Sequence, residues 1–107
     1  MSKITTLLLG ASLAMAASAS FTSVAAEGEA LYTAKLCQTC HGPEGKAPIM
    51  ALYPKLNGQN KEYLLAQMKD IKSGARSNGM TAAMKAMVAN VSEEEMAAIA
   101  DYLANVK

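Results

Sequence analysis

Cys37-Gln38-Thr39-Cys40-His41 is the stretch of sequence from which most of this protein can be interpreted. A C-x-x-C-H run is the attachment signature of c-type haem. Each thiol adds across a vinyl group of the haem to form a thioether, and the tether brings the adjacent imidazole to the iron. The motif therefore predicts one haem c per chain, covalently attached through Cys37 and Cys40, with His41 as an axial ligand of the iron.

Zinc sites and dithiol redox sites also use cysteine pairs at this spacing. A structural zinc ion needs four ligands, but the chain has no Cys or His besides Cys37, Cys40 and His41. A thioredoxin-like dithiol lies where a strand enters a helix, and no β-rich run precedes Cys37. Haem attachment is therefore the favoured interpretation.

The first 26 residues have the order of a secretory signal peptide. Lys3 is the only charge before a long apolar stretch, and small residues follow as far as Ala26. This order predicts cleavage before Glu27 and export to the periplasm, with no stable membrane insertion afterwards. An uncleaved anchor is the alternative, because residues 4–26 carry no charge and are long enough to span a bilayer. Their Ser, Thr and Gly content argues against it.

Residues 27–107 are predicted to form one mature domain. Nine Lys and Arg residues balance nine Asp and Glu residues in it, so nothing suggests nucleic-acid binding. A chain of 81 residues has a small core and usually needs a cofactor, metal or disulfide to stabilise it. Because its only aromatic residues are four tyrosines, we expect the haem to supply much of the missing apolar volume.

Hydrophobic spacing and capping signals predict an all-α domain of three main helices and a short one. Helices are expected over residues 28–36, 60–74 and 81–89, and after a capping box at residues 92–95. Three prolines and three glycines interrupt residues 42–60. This segment is expected to be a loop along one face of the haem.

The mature chain resembles the bacterial class I cytochromes c. It is most similar to the small periplasmic monohaem type, such as cytochrome c-553, and to single domains of their dihaem relatives. The resemblance is carried by the haem motif, the region of Pro48, residues 53–59, residues 67–74 and the capped final helix. It implies the class I cytochrome c fold, with the helices wrapped around one covalently attached haem. It also implies that the first and last helices cross at Gly28, Tyr32, Tyr102 and Leu103.

The sixth iron ligand is not decided by composition. The mature chain has six methionines: Met50, Met68, Met80, Met84, Met87 and Met96. Met68 and Met96 fall on apolar helix stripes and are best interpreted as core, and Met50 follows His41 too closely. The other three have the i, i+4, i+7 spacing of a buried stripe, so all three stay candidates. The resemblance implies a ligand about two helical turns before the last helix cap, which matches Met84, with Met80 as the second choice.

An iron-bound imidazole usually donates its other N–H to a carbonyl group. The resemblance assigns that carbonyl to a proline in the following loop, and Pro48 matches this position better than Pro54. Position alone suggests three polar residues as further haem contacts, at the propionates: Tyr53, Asn57 and Gln59.

The central part of the chain is basic. From Lys35 to Lys85, eight basic residues outnumber three acidic ones, giving a net charge of +5. Part of this charge is expected to steer an acidic redox partner towards the haem edge. For any single lysine, an ordinary solvated surface position is the simpler interpretation.

These features predict a periplasmic electron carrier rather than an enzyme. Its iron would cycle between Fe(II) and Fe(III). The partners expected are redox proteins such as a membrane quinol-oxidising complex, a terminal oxidase or a cytochrome c peroxidase. The alternative is a haem-based sensor of small molecules or a weak peroxidase, which would require a labile sixth ligand.

Overall fold

The computed structural model describes residues 24–107, and these residues form an all-helical structure without strands. The elements are α1 (Val24–Ala34), α2 (Gln38–His41), a 3-10 turn (Pro43–Gly45), α3 (Lys61–Ser73), α4 (Thr81–Val88) and α5 (Glu93–Ala104). The predicted all-α class is confirmed. The predicted signal peptide lies outside the described residues, except for its last three.

Helices α1 and α5 pack against each other at a very close approach. A Cβ atom on Gly28 would overlap the carbonyl oxygen of Ala98 and lie 2.6 Å from Cβ of Tyr102, so this position requires glycine. One turn later, the rings of Tyr32 and Tyr102 are 5.9 Å apart, a normal separation for an aromatic pair. The helix crossing implied by the resemblance is therefore present.

The core surrounds α5, which packs against both α1 and α3. Its members on α3 and α5 are Leu64, Met68, Ile71, Met96, Ile99, Ala100, Tyr102 and Leu103. Met96 is completely buried and Met68 is 9% exposed. Both methionines are core residues, as the helical stripes predicted.

The helix ends follow their capping residues. Oδ1 of Asn60 accepts hydrogen bonds from the N–H groups of Glu62 and Tyr63, and Gly74 ends α3 with a φ of +91°. In α5, Ser92 and Glu95 form the predicted reciprocal capping box. The caps fix where the two long helices begin, because they satisfy amide groups that have no partner inside the helix.

Two helices have bounds that differ from the sequence predictions. Helix α1 begins at Val24 rather than Gly28 and ends at Ala34, because Leu36 adopts a left-handed φ of 64°. Helix α4 ends at Val88, one residue early. Within residues 24–107, none of the helices combines the length and apolar character needed to cross a membrane.

Candidate haem site

The turn after α1 delivers the first cysteine of the motif. The N–H of Leu36 donates to the carbonyl of Thr33, and the N–H of Cys37 donates to that of Tyr32. These two bonds and the left-handed Leu36 form a Schellman motif. A non-glycine residue in this conformation costs about 1–2 kcal/mol, and the two bonds offset that cost. The chain thereby reverses directly into Cys37.

Helix α2 arranges the three reactive groups of the motif. It is a single turn, in which the N–H of His41 donates to the carbonyl of Cys37 over 3.0 Å. Residues three and four apart in a helix share a face, so Cys37, Cys40 and His41 project to the same side. Both thiols are free within the part of the chain that the structure describes. This arrangement matches two adjacent vinyl groups and an iron beside them.

His41 is buried and held in one orientation. Its side chain is 7% exposed, and Nδ1 lies 2.9 Å from the carbonyl oxygen of Pro54. Because a carbonyl only accepts, Nδ1 carries the proton, and Nε2 keeps its lone pair for a metal. Burial lowers the pKa of His41 below its usual value, which favours the neutral, ligating form.

The prediction that Pro48 supplies this carbonyl is wrong, and Pro54 supplies it. The N–H of Ile49 donates to the carbonyl of Cys40 over 3.0 Å, which ties the chain after Pro48 to α2. A turn closed by the N–H of Tyr53 and the carbonyl of Met50 then reverses the loop. That reversal brings the next carbonyl, from Pro54, to the imidazole.

The loop after the motif is anchored on the helical core. The carbonyl of Gly45 accepts from the N–H of Leu56 over 2.9 Å, and the N–H of Gly58 donates to the carbonyl of Leu103 over 2.8 Å. Residues 46–51 and 53–55 of this loop line an open groove of about 560 Å³. The loop therefore has a defined path next to His41.

Of the three polar residues suggested as haem contacts, the structure brings Tyr53 next to His41, with ring centres 6.3 Å apart. Asn57 is half-buried. The side-chain amide of Gln59 donates to the carbonyl of Lys55 over 2.5 Å. Contact of all three with a haem stays a prediction.

The three candidate methionines occupy different environments on and before α4. Met84 is half-buried and packs against the hydrophobic core. Met80 precedes the helix and is 48% exposed, and Met87 is 38% exposed. Of the three, Met84 is therefore the one whose backbone position directs the side chain inwards.

The residues present fit a haem group. Besides the two thiols and an imidazole with one free nitrogen, large apolar side chains are exposed in two segments that the site would use. They are Ile49, Met50 and Leu52 in the loop, and Met80 and Met87 around α4. An apolar macrocycle between these segments would remove part of this surface from water.

Cys37 does not have the character of a reactive thiol. Burial raises the pKa of the Cys37 thiol to about 11, whereas reactive cysteines have a lowered pKa. Among residues 24–107, no group of three or more His, Cys, Asp or Glu side chains is placed to hold a metal ion.

One contact at the site had no signal in the sequence. The hydroxyl of Tyr32 donates to the carbonyl of Gly42 over 2.5 Å, so α1 braces the residue directly after the haem motif. Burial, with a smaller contribution from Cys37, raises the pKa of Tyr32 to about 12. The contact joins residues ten positions apart across a turn, which periodicity does not reveal.

Comparison with known proteins places the chain among haem proteins. The family model for cytochrome c matches residues 25–107. Cytochrome c4 of Pseudomonas aeruginosa is 42% identical over 83 residues, covering 78% of this chain and 38% of that protein. Cytochrome c-553 of Nitratidesulfovibrio vulgaris is 34% identical over 84 residues, covering 78% of this chain and 80% of that protein. The thiosulfate dehydrogenase electron acceptor of Stutzerimonas stutzeri is 38% identical over 86 residues, covering 74% of this chain and 38% of that protein.

A solved structure has the same fold. The reduced recombinant cytochrome c4 from Pseudomonas stutzeri superposes with a TM-score of 0.69 at 30% identity, covering 78% of this chain and 48% of that one. Two of the matched cytochrome c4 proteins are much longer, and this chain spans 32% and 38% of their length.

Proposed function

The chain belongs to the cytochrome c family, and we propose that it is a monohaem electron carrier of the class I fold. The haem supplies the one-electron couple between Fe(II) and Fe(III). The protein holds it through thioethers to Cys37 and Cys40 and through His41. The observation that carries the proposal is the buried His41 imidazole, oriented by Pro54 on the same face as two free thiols.

On the His41 side, the chain fixes the orientation of the imidazole ring through its Nδ1 nitrogen. The hydrogen bond from Nδ1 to the Pro54 carbonyl holds the ring and increases the basicity of Nε2. The Tyr32 hydroxyl keeps the adjacent Gly42 in place. Together these contacts would hold the His41 ring in one orientation towards a bound haem iron.

On the opposite side, we propose Met84 as the sixth ligand and Met80 as the second choice. The inward packing of Met84 supports this assignment, as does the exposure of Met80. A thioether ligand raises the reduction potential and leaves no open position at the iron. Such a site transfers electrons and excludes small ligands.

We further propose that the protein is exported by residues 1–26 and works in the periplasm. Its partners would be redox proteins, such as a membrane quinol-oxidising complex, a terminal oxidase or a cytochrome c peroxidase. A relative named as the electron acceptor of thiosulfate dehydrogenase supports exchange of electrons with other redox proteins. The +5 charge of the central segment suits an acidic partner.

Visible spectra of the oxidised and reduced protein, with and without carbon monoxide, test this function. A methionine-ligated carrier will show a sulfur-to-iron charge-transfer band when oxidised and will resist carbon monoxide when reduced. Rapid carbon monoxide binding by the wild-type protein would instead support a sensor or peroxidase with a labile ligand.

A further inference from the structure

Two lysines hold the connection between α4 and α5 by its backbone. Nζ of Lys72, in the last turn of α3, donates to the carbonyl of Val91 over 2.7 Å. Nζ of Lys35, just after α1, donates to the carbonyl of Asn90 over 3.1 Å and lies 3.6 Å from a carboxylate oxygen of Glu95. Two different helical segments thus bind two successive carbonyl groups.

Helix α4 needs such support because its own stability is low. It has eight residues, whereas isolated helices shorter than about 12–15 residues are marginal in water. Within residues 24–107, no side chain caps its first turn. Among the described residues of α4, only Thr81 and Val88 are buried. Its position therefore depends on what holds its two ends.

The segment before the N-terminus of α4 is held by another cationic side chain, that of Arg76. Nη1 of Arg76 donates to the side-chain oxygen of Gln67 on α3 over 2.9 Å. Nε of Arg76 donates to the side-chain oxygen of Asn78 over 3.3 Å, and the carbonyl of Asn78 accepts from the N–H of Thr81. Contacts with α3 thus hold the methionine-bearing segment at both ends.

We propose that Lys72 is a positioning residue for α4, which keeps the Met84 thioether at the iron by holding the Val91 carbonyl. Lys35 is the second tether, at Asn90. The proposal rests on the proposed function, in which α4 carries the sixth ligand.

The path from Lys72 to the ligand is short. Met84 lies one helical turn before Val88, whose carbonyl accepts from the N–H of Val91 over 3.0 Å, and both valines are buried. Hydrogen bonds from a charged donor are stronger than neutral ones. Releasing Val91 therefore frees the end of the helix that carries Met84.

Lys69 provides a matched control on the same helix. Its Nζ lies 3.2 Å from a carboxylate oxygen of Glu93, and the two side chains are 48% and 72% exposed. An exposed ion pair of this kind contributes little, and it holds no backbone of the α4–α5 connection. Lys69→Met removes the same charge as Lys72→Met without releasing Val91.

The experiment compares Lys72→Met, Lys72→Arg and Lys69→Met in the haem-loaded protein. Carbon monoxide binding to the reduced protein reports how often the sixth ligand leaves the iron. Amide hydrogen exchange reports opening of α4 without reference to the iron. Lys72→Met is expected to speed both by about tenfold, the scale of losing one charged hydrogen bond, while the α5 amides stay protected. Lys69→Met is expected to change neither rate. Lys72→Arg keeps a charged donor and is expected to retain rates close to those of the wild-type protein.

Equal loss of protection in α3, α4 and α5 would overturn the proposal, because Lys72 would then contribute only to global stability. The same effect from Lys69→Met would also overturn it. A wild-type protein without the sulfur-to-iron band would refute the methionine ligand, and with it the part of the proposal that concerns the iron. In that case, exchange in α4 still decides whether Lys72 tethers the helix.

Discussion

The two sides of the haem site are built in different ways. The His41 side is a continuous stretch in which a one-turn helix, a buried imidazole and the Pro54 carbonyl lie within 18 residues. The methionine side is a short helix of low intrinsic stability. Lys72 and Lys35 hold the connection that follows it, and Arg76 holds the segment that precedes it. Local chemistry thus secures one ligand, and long-range contacts secure the other. The second ligand should be the easier one to release.

The largest effect should come from breaking the motif itself. Cys37→Ala or Cys40→Ala is expected to abolish normal holoprotein with two thioethers, and His41→Ala to remove ligation on that side. No other Cys or His in the chain can replace them. Mass spectrometry and the pyridine haemochrome spectrum will show this. Haem still attached by two bonds in either Cys variant would contradict the assignment.

Breaking the methionine side should leave the haem attached but open the iron. Met84→Ala is expected to lower the reduction potential by on the order of 100 mV, given the wide range that axial ligands span, and to allow rapid carbon monoxide binding. Redox titration and gas-binding kinetics measure both.

Met80→Ala is the matched control, since the loss of this side chain should mostly cost packing and leave the sixth ligand in place. Loss of the sulfur-to-iron band in Met80→Ala and its retention in Met84→Ala would reverse the ligand assignment.

A smaller effect is expected from the hydroxyl that braces the His41 side. Tyr32→Phe removes the hydrogen bond to the Gly42 carbonyl and should lower the free energy of unfolding by about 1–2 kcal/mol. Tyr63→Phe, at a position that is 53% exposed, is the control. Denaturant unfolding of both haem-loaded variants measures the difference, and equal stability of the two would refute the brace.

The raised pKa of Tyr32 predicts how the stability of the protein changes with pH. Burial raises the folded-state pKa of Tyr32 to about 12, well above the usual pKa of a tyrosine near 10. Its contribution to stability is therefore complete below pH 10 and is lost between about pH 10 and 12, because the unfolded chain ionises first. Unfolding measured across this range should show a shallower decline in Tyr32→Phe. Parallel curves for the two proteins would contradict the raised pKa.

The smallest effect concerns neither ligand but the docking of partners. Charge reversal at Lys46, Lys55 or Lys85, which lie in exposed positions, should slow electron transfer to an acidic partner without moving the potential much. Raising salt should act similarly, because the Debye length falls to about 10 Å at 0.1 M. Stopped-flow rates across a salt series test this, and a flat dependence would favour an apolar docking surface.

Most of the helical pattern could be predicted from local signals. The Asn60 cap, the Gly74 end and the Ser92 capping box lie within a few residues of the amides they satisfy. Predictions of helix boundaries were wrong where a distant contact or an unusual backbone conformation decided the boundary. The left-handed Leu36 ends α1 earlier than its apolar character suggests.

The sequence by itself determined the cofactor, and it predicts the two attachment cysteines and the His41 ligand, because five adjacent residues carry that chemistry. It also determined the helical class, because spacing and caps act locally. Only the tertiary structure decided that Pro54 rather than Pro48 orients His41, that Tyr32 braces Gly42, and that Lys72 and Lys35 hold the α4–α5 connection. These contacts join backbone carbonyls to groups 10 to 55 residues away. Every residue has a carbonyl, so no residue type marks the one that will be bound, and only the folded path of the chain selects it.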